Sequence, residues 1–408
     1  MSVSCEEVRE IVEWLAQFGN HGEDGMIRLL YTPEWLAAQN ALKERFEQLG
    51  MTAEFDAVGN LKGTIAGTDG TGETIATGSH VDTVVNGGKL DGAFGIEAGY
   101  LAVRELLATY GQPKKNISVI SFAEEEGSRF PYVFWGSKNC FDLQDNAEVE
   151  GIVDMDGVRF TDAMRACGFD FNEGHDPIMD GVTNFVEIHI EQGNTLEMEG
   201  KSVGVVNAIA GQRRYDIRLH GEANHAGTTM MRYRHDVVQA YAEIVSRSIR
   251  RAKEAGDPLV LTFGKVEVRP NTVNVVPGDM LFTMDCRHTD SKFLAEFSDS
   301  MVAEMREVCA EMDIEIEVDN WMREEPTPMD SAMVGVVREA CEARGLDWRE
   351  MHSGAGHDSQ IVAKHIPCGM IFVPSIKGIS HNPAEATADV DLKQGVDALV
   401  ETLHKLAY

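Results

Sequence analysis

Cationic side chains are scarce in this chain: 36 Lys and Arg stand against 67 Asp and Glu, for a formal net charge of −31. A surface of that sign repels nucleic acid and anionic membranes, so neither is an expected partner. An anionic small substrate must find its positive contacts locally. Cysteine is also sparse. The seven cysteines are an odd number with no Cys-x-x-Cys pair, which argues against a disulfide framework and for a reduced, cytoplasmic protein. No apolar run is long enough to span a bilayer. The opening "MSVSCEEVREIVEWLAQFG" alternates apolar and acidic residues at helical spacing and lacks the basic region and apolar run of a signal peptide. Internal repeats and low-complexity tracts are absent. The expectation is a soluble, intracellular protein.

What remains is ordinary for a folded chain, 43% hydrophobic and 25% charged, and disorder is not expected. At 408 residues the chain exceeds what one core usually spans, which predicts two domains. Short β-rich runs such as "TIATGSHVD", "NISVISFA" and "NFVEIHI" alternate with helical patterns such as "GIEAGYLAVRELLATYG", the signature of a mostly parallel α/β sheet. The pattern returns near the end in "DSAMVGVVREACEARG" and "CGMIFVPS". Between those halves the order becomes β-α-β-β-α-β, with "LVLTFGKVEV" and "DMLFTMDCR" as its central strands. That is a ferredoxin-like arrangement. The predicted organisation is therefore one α/β domain at residues 1–210 and 327–408, with a domain inserted at 211–326. Linkers near Ala210 and Pro326 permit a hinge; a rigid dimerisation module is the compatible alternative.

Four stretches carry chemistry-bearing residues at strand ends. "SVISFAEEEGSRF" runs from an apolar strand into three glutamates; adjacent carboxylates repel unless a cation or proton is shared among them. One of these can bind a cation while a neighbour accepts a proton, although a solvated acidic loop with Arg129 as counter-ion is the simpler reading. In "GSHVDTVVNGGKLDG", His80 and Asp82 share a strand face, so Asp82 can orient the imidazole of His80 toward a metal, and Asp91 sits between glycines. "NFVEIHIEQG" alternates Val186, Ile188 and Ile190 with Glu187, His189 and Glu191, as a half-buried strand with a wet polar face does. "GISHNPAE" places His381 in a loop. Each signal is weak alone. Together they gather three histidines and two or three carboxylates at one sheet edge, where α/β sites form, and mixed N/O ligation suits a two-metal hydrolytic site.

These residues resemble the binuclear metallohydrolases that include aminoacylases, carboxypeptidase-like peptidases and N-carbamoyl-L-amino acid hydrolases. The resemblance runs along nearly the whole chain, through "GMIRLLYTPEW", "GSHVDTVVNGGKLDGAFG", "AEEEGSRFPYVFWGSK", "HIEQG", "GQRRY", "NHAGTT", "GDPLVLTFGKVEVRPNTVNVVPG", "DCRHTD", "MHSGAGHD" and "SIKGISHNPAE". It implies a metallohydrolase catalytic domain with an inserted lid and dimerisation domain, cleaving a C–N bond of a small anionic ureido substrate. It implies two divalent metal ions per subunit, manganese first, with zinc, cobalt or nickel as alternatives. Asp91 would bridge them, with His80 and His189 completing one site and Glu126 and His381 the other. Glu125 would be the general base and Asp82 the partner of His80.

In the inserted domain the resemblance implies that His225 reaches across a homodimer to the reacting carbonyl, and that Asn274 and Arg287 grip the substrate carboxylate. A salt bridge with Asp285 is the structural alternative for Arg287. Gln192 and His357 match further cleft positions. After "HAGTT" the family commonly carries proline and then methionine; here Met230 and Met231 follow, which removes a φ constraint from the loop of His225. A non-catalytic binding protein that kept this fold is the rival class, and the complete set of candidate ligands argues against it.

Overall fold

The computed structural model describes residues 2–408. The chain divides into two compact units, one running to Asn207 and resuming at Met329, the other formed by Ala208–Pro328.

The first unit is built on a mixed sheet that is parallel at its centre. Asn116–Phe122, Thr74–His80, Val182–Ile190 and Cys368–Val373 lie side by side in that order and run the same way. Antiparallel strands flank them: Leu61–Ile65 and then Thr52–Phe55 on one side, Val203–Ile209 on the other. Thr74–His80 is buried at every position, as expected of a central parallel strand covered on both faces. The helices Ala93–Tyr110 and Asp389–Ala407 pack on each other and on these strands. The first helix, Cys5–Leu15, starts with a capping box in which Glu7 N–H donates to Ser4 Oγ and Ser4 N–H donates to the Glu7 carboxylate. Its apolar stripe Val8, Ile11, Val12 and Leu15 faces the core, at the spacing a helix needs to present one buried face.

"NFVEIHIEQG" departs from the expected half-buried strand. Glu187 is 0% and His189 1% exposed, so the polar face is as dry as the apolar one. Burial of a carboxylate requires partners, and Glu187 has three: the Ser79 and Ser359 hydroxyls at 2.7 and 2.6 Å and Ser359 N–H at 3.0 Å. Alternation in the sequence here reflects an internal polar layer between strands and neighbours, not water.

Because the four central strands are parallel, their carboxyl ends emerge at one edge. There His80 ends its strand, Glu124–Glu126 follow Phe122, His189 precedes the last residue Ile190, and the chain beyond Val373 leads to His381. The indole N–H of fully buried Trp35 donates to Ala123 O at 2.8 Å, which fixes the chain immediately before the three glutamates.

At the surface of this unit His175 lies between two carboxylates, with Nδ1 2.8 Å from Asp142 and Nε2 2.8 Å from Asp180. Hydrogen bonds to both hold its imidazolium up to about 9. A folded-state value above the unfolded one, about 6.5, means the contribution is complete below that unfolded value and fades as pH rises through about 9. Comparing thermal midpoints of wild type and His175→Ala should therefore show a gap that is widest below pH 6.5 and closes above pH 9. A gap independent of pH would contradict this.

The second unit is an antiparallel sheet in which Asp279–His288 and Gly211–His220 are central, Glu315–Glu324 is one edge, and the other edge is shared by two short strands. "LVLTFGKVEV" forms not one strand but two, Val260–Thr262 and Val266–Arg269, both paired with Asp279–His288. Between them Lys265 N–H donates to Thr283 Oγ1 and Thr283 N–H to Lys265 O, so Phe263–Lys265 loops out around Thr283. The helices Val237–Ala255 and Ser291–Glu311 contact each other and the sheet. Their apolar side chains and the strands enclose a separate core around Phe282, Ile217, Leu294 and Met301.

Candidate metal centre

His80 is oriented from behind. Its Nδ1 lies 3.1 Å from the backbone oxygen and 3.2 Å from Oδ1 of Asp82, which leaves Nε2 facing Asp91 Oδ1 at 3.7 Å. This is the arrangement that presents one imidazole nitrogen to a cation. Gly92, at φ +62°, leaves room for the ring, since a Cβ there would lie 2.3 Å from His80 Cε1. His189 is set by its own backbone: Nδ1 is 2.8 Å from Ile190 O, and Gly92 N–H donates to Nε2 at 3.1 Å. The pattern places the proton on Nδ1 and a lone pair on Nε2.

Asp91 is the hub. Its Oδ1 lies 3.2 Å from His189 Nε2, and its Oδ2 lies 3.3 Å from His381 Nε2. Oδ2 also accepts from Gln192 Nε2 at 2.8 Å and Ser380 Oγ at 2.7 Å. Burial pushes its carboxyl up, but the close imidazoles of His189, His381 and His80 outweigh that and hold it well below the usual range. His381, in its loop, also faces Glu126 Oε1 at 3.5 Å.

The three glutamates have three environments. Glu124 is buried and accepts from Gly127 N–H, tightening the turn that follows. Burial raises the carboxyl of Glu125 well above its ordinary value, with His80 opposing. Burial and then the charge of Asp91 raise Glu126 to about 7, and its Oε1 is a buried acceptor with no hydrogen-bond donor among the described residues.

Asp82 has a second task that its sequence position did not disclose. Glu125 N–H donates to its Oδ1 at 3.1 Å and Glu126 N–H to its Oδ2 at 3.2 Å. One carboxylate thus positions both His80 and the glutamate turn. Arg28, also unforeseen, lies fully buried behind this strand end and donates to Val81 O at 2.6 Å, Leu15 O at 3.2 Å and Phe18 O at 3.0 Å. Burial lowers it to about 10, with Glu97 and Asp82 opposing.

Three groups of side chains bring ligand atoms within 4.8 Å of one another: His80, Asp91 and His189; Asp91, Glu126 and His381; and His80, Glu125 and Glu126. The first two share Asp91. The third admits Glu125 as a ligand, where the resemblance implies a general base. A donor set of imidazoles and carboxylates, with a buried unsatisfied Glu126 oxygen aimed into it, fits divalent transition metals.

Of the other predicted positions in this unit, Gln192 stands at φ +57° with its amide on Asp91. His357 is buried with its ring 4.5 Å from that of His189 and Nε2 2.8 Å from Ser353 Oγ. Burial and then His189 keep it well below the ordinary imidazole range, hence neutral.

His225, Asn274 and Arg287 belong to the second unit. There His225 pairs with Val275 across a two-stranded ribbon, and Ala226 N–H donates to Asn274 O at 3.0 Å. Arg287 makes a two-pronged salt bridge with Asp285, Nε and Nη2 each 2.9 Å from a carboxylate oxygen. The loop after His225 keeps what the missing proline would have imposed: Met230 has φ −61°, a proline-like value. Arg234 holds that loop by donating to Thr229 O and Ala226 O at 3.0 and 2.6 Å.

Residues 76–405 match the model of peptidase family M20/M25/M40. The chain belongs to this family. It is 53% identical to an allantoate amidohydrolase of Escherichia coli (strain K12), over 99% of this chain and 98% of the relative. It is 44% identical to an allantoate amidohydrolase of Bacillus subtilis (strain 168), over 98% and 97%. Among solved structures, a hydantoinase/carbamoylase family amidase from Burkholderia multivorans superposes with a TM-score of 0.94 at 30% identity, covering 100% of this chain and 98% of the other.

Proposed function

We propose that this chain is a metal-dependent amidohydrolase that cleaves a ureido C–N bond of allantoate, giving with water ureidoglycine, ammonia and carbon dioxide. The observation that carries the hydrolytic reading is Asp91, whose two carboxylate oxygens face different histidines, His189 and His381. The two full-length relatives named allantoate amidohydrolase support the substrate. An N-carbamoyl-L-amino acid hydrolase using the same site is the second reading, favoured by the likeness to a carbamoylase-family structure. The two differ only in the walls around the remainder of the substrate, which are polar for a second ureido group and apolar for an apolar side chain.

In this reading His80, His189 and Asp91 would hold one divalent ion, and Asp91, Glu126 and His381 would hold the other. When bound, the ions supply Lewis acidity toward the ureido carbonyl and the attacking water. Glu125 takes a proton from that water and passes it to the leaving nitrogen. Its buried position, which raises its affinity for a proton, suits that exchange. Asp82 keeps His80 and the Glu125 turn aligned. Asn274 and Arg287 grip the substrate carboxylate, His225 stabilises charge on the carbonyl oxygen from the partner in a homodimer, Gln192 and His357 shape the cleft, and the inserted unit serves as lid and dimerisation module. Manganese is the first candidate, with zinc, cobalt or nickel as alternatives that the same donor set accepts, and the cytoplasm is the proposed compartment.

Chelator-stripped protein should release no ammonia from allantoate and should regain turnover as manganese is returned, levelling off at two ions per chain. Turnover that survives exhaustive chelation would overturn the proposal.

A further inference from the structure

The residues around Asp91 include one buried carboxyl with no place in the chemistry above. Glu385 is 9% exposed and lies four residues beyond His381. Its Oε1 accepts from Leu90 N–H at 2.9 Å and Asp91 N–H at 3.1 Å. Its Oε2 lies 2.8 Å from Ser380 Oγ, and that same hydroxyl lies 2.7 Å from Asp91 Oδ2. The chain accommodates the carboxyl by having glycine at 88, where a Cβ would sit 2.1 Å from Glu385 Oε1.

These contacts join two loops that come from distant parts of the sequence. One carries Asp91; the other carries Ser380, His381 and Glu385. Each loop by itself has little to fix the distance between Asp91 Oδ2 and His381 Nε2, because His381 is in an exposed loop and Asp91 sits between strand and helix. The two backbone N–H groups are buried donors that need an acceptor, and Glu385 is the group that supplies it.

We propose that Glu385 is a positioning residue: through Ser380 and the Leu90–Asp91 amides it locks Asp91 Oδ2 against the His381 loop, and thereby sets the affinity of the Asp91, Glu126 and His381 site for its ion. On the Asp91 Oδ1 side, His80 and His189 are held by Asp82, Ile190 and Gly92, so the clamp bears chiefly on the Oδ2 side. The clamp therefore acts on one of two adjacent sites. The inference rests on the two-metal reading.

The test is calorimetric titration of chelator-stripped protein with Mn²⁺, which reports each binding step without substrate. Wild type should show two steps. Glu385→Ala should weaken one of them about 10- to 100-fold, the usual effect of losing a group that orients a ligand, and leave the other within a few fold. Glu385→Gln keeps an acceptor for the two N–H groups and a polar atom for Ser380, and should restore the weakened step. Ser380→Ala, which removes only the link to Oδ2, should weaken the same step to a smaller extent, and it carries the test if Glu385→Ala does not fold. A general loosening of the fold would weaken both steps together, and that result, or unchanged affinities in both Glu385→Ala and Ser380→Ala, overturns the clamp while the two-metal reading stands. Fewer than two ions in wild type overturns both.

Discussion

Glu125→Gln is expected to lower kcat for ureido hydrolysis by about 10²- to 10⁴-fold, the range that a positioned general acid–base group contributes, while the protein still binds two metal ions. Glutamine preserves the size of the side chain and leaves the Glu125 N–H bond to Asp82 in place, so the change isolates the proton-transfer role. Counting metal in the variant matters as much as the rate. Glu125 also comes within ligand range of His80 and Glu126, and a ligand and a base are distinguished by what is lost. A variant that is slow and fully metallated identifies the base; one that has lost an ion identifies a ligand; one that turns over normally removes Glu125 from the chemistry.

The second large effect concerns Asp91. A ligand that binds the folded state alone stabilises it by about 2.7 kcal/mol when present at 100 times its Kd, so wild-type protein should melt at a higher temperature in manganese. If Asp91 serves both ions, Asp91→Asn should abolish that stabilisation and reduce turnover to the level of the metal-free protein. His381→Ala, which touches one candidate site, should abolish only part of it. Equal losses in the two variants would mean that the sites do not share Asp91 in the way its geometry suggests. Thermal shift reads this without any assumption about substrate.

Much of this arrangement is legible in the sequence. Alternating β-rich and helical patterns announced the α/β sheet, and ligand-type residues stood at the ends of the runs that became its parallel strands. His80, Asp91, Glu126, His189 and His381 come from four separate stretches, and the fold brings them together. What was not legible depends on contacts between segments remote in sequence. The second task of Asp82 requires the Glu125 turn to fold over it, 43 residues away for Glu125. The dry environment of Glu187 depends on Ser79 and Ser359, either of which could serve many other purposes.

Backbone geometry was hidden for a related reason. Met230 takes a proline-like φ that is open to any residue, in a loop that Arg234 ties by donating to Thr229 O, a contact that the sequence does not announce. The break in "LVLTFGKVEV" arises from Thr283 on the neighbouring strand. The place of Arg28 has no local signal either; it is created when the first helix and the His80 strand close around it.

The central claim is the reaction itself, and ammonia release tests it most directly. Manganese-loaded protein should be assayed with allantoate and a panel of N-carbamoyl-L-amino acids side by side, comparing kcat/KM. The account predicts the highest value for allantoate. A higher value for any carbamoyl amino acid would contradict it, and would move the error to the walls around the distal part of the substrate while leaving the metal centre as described.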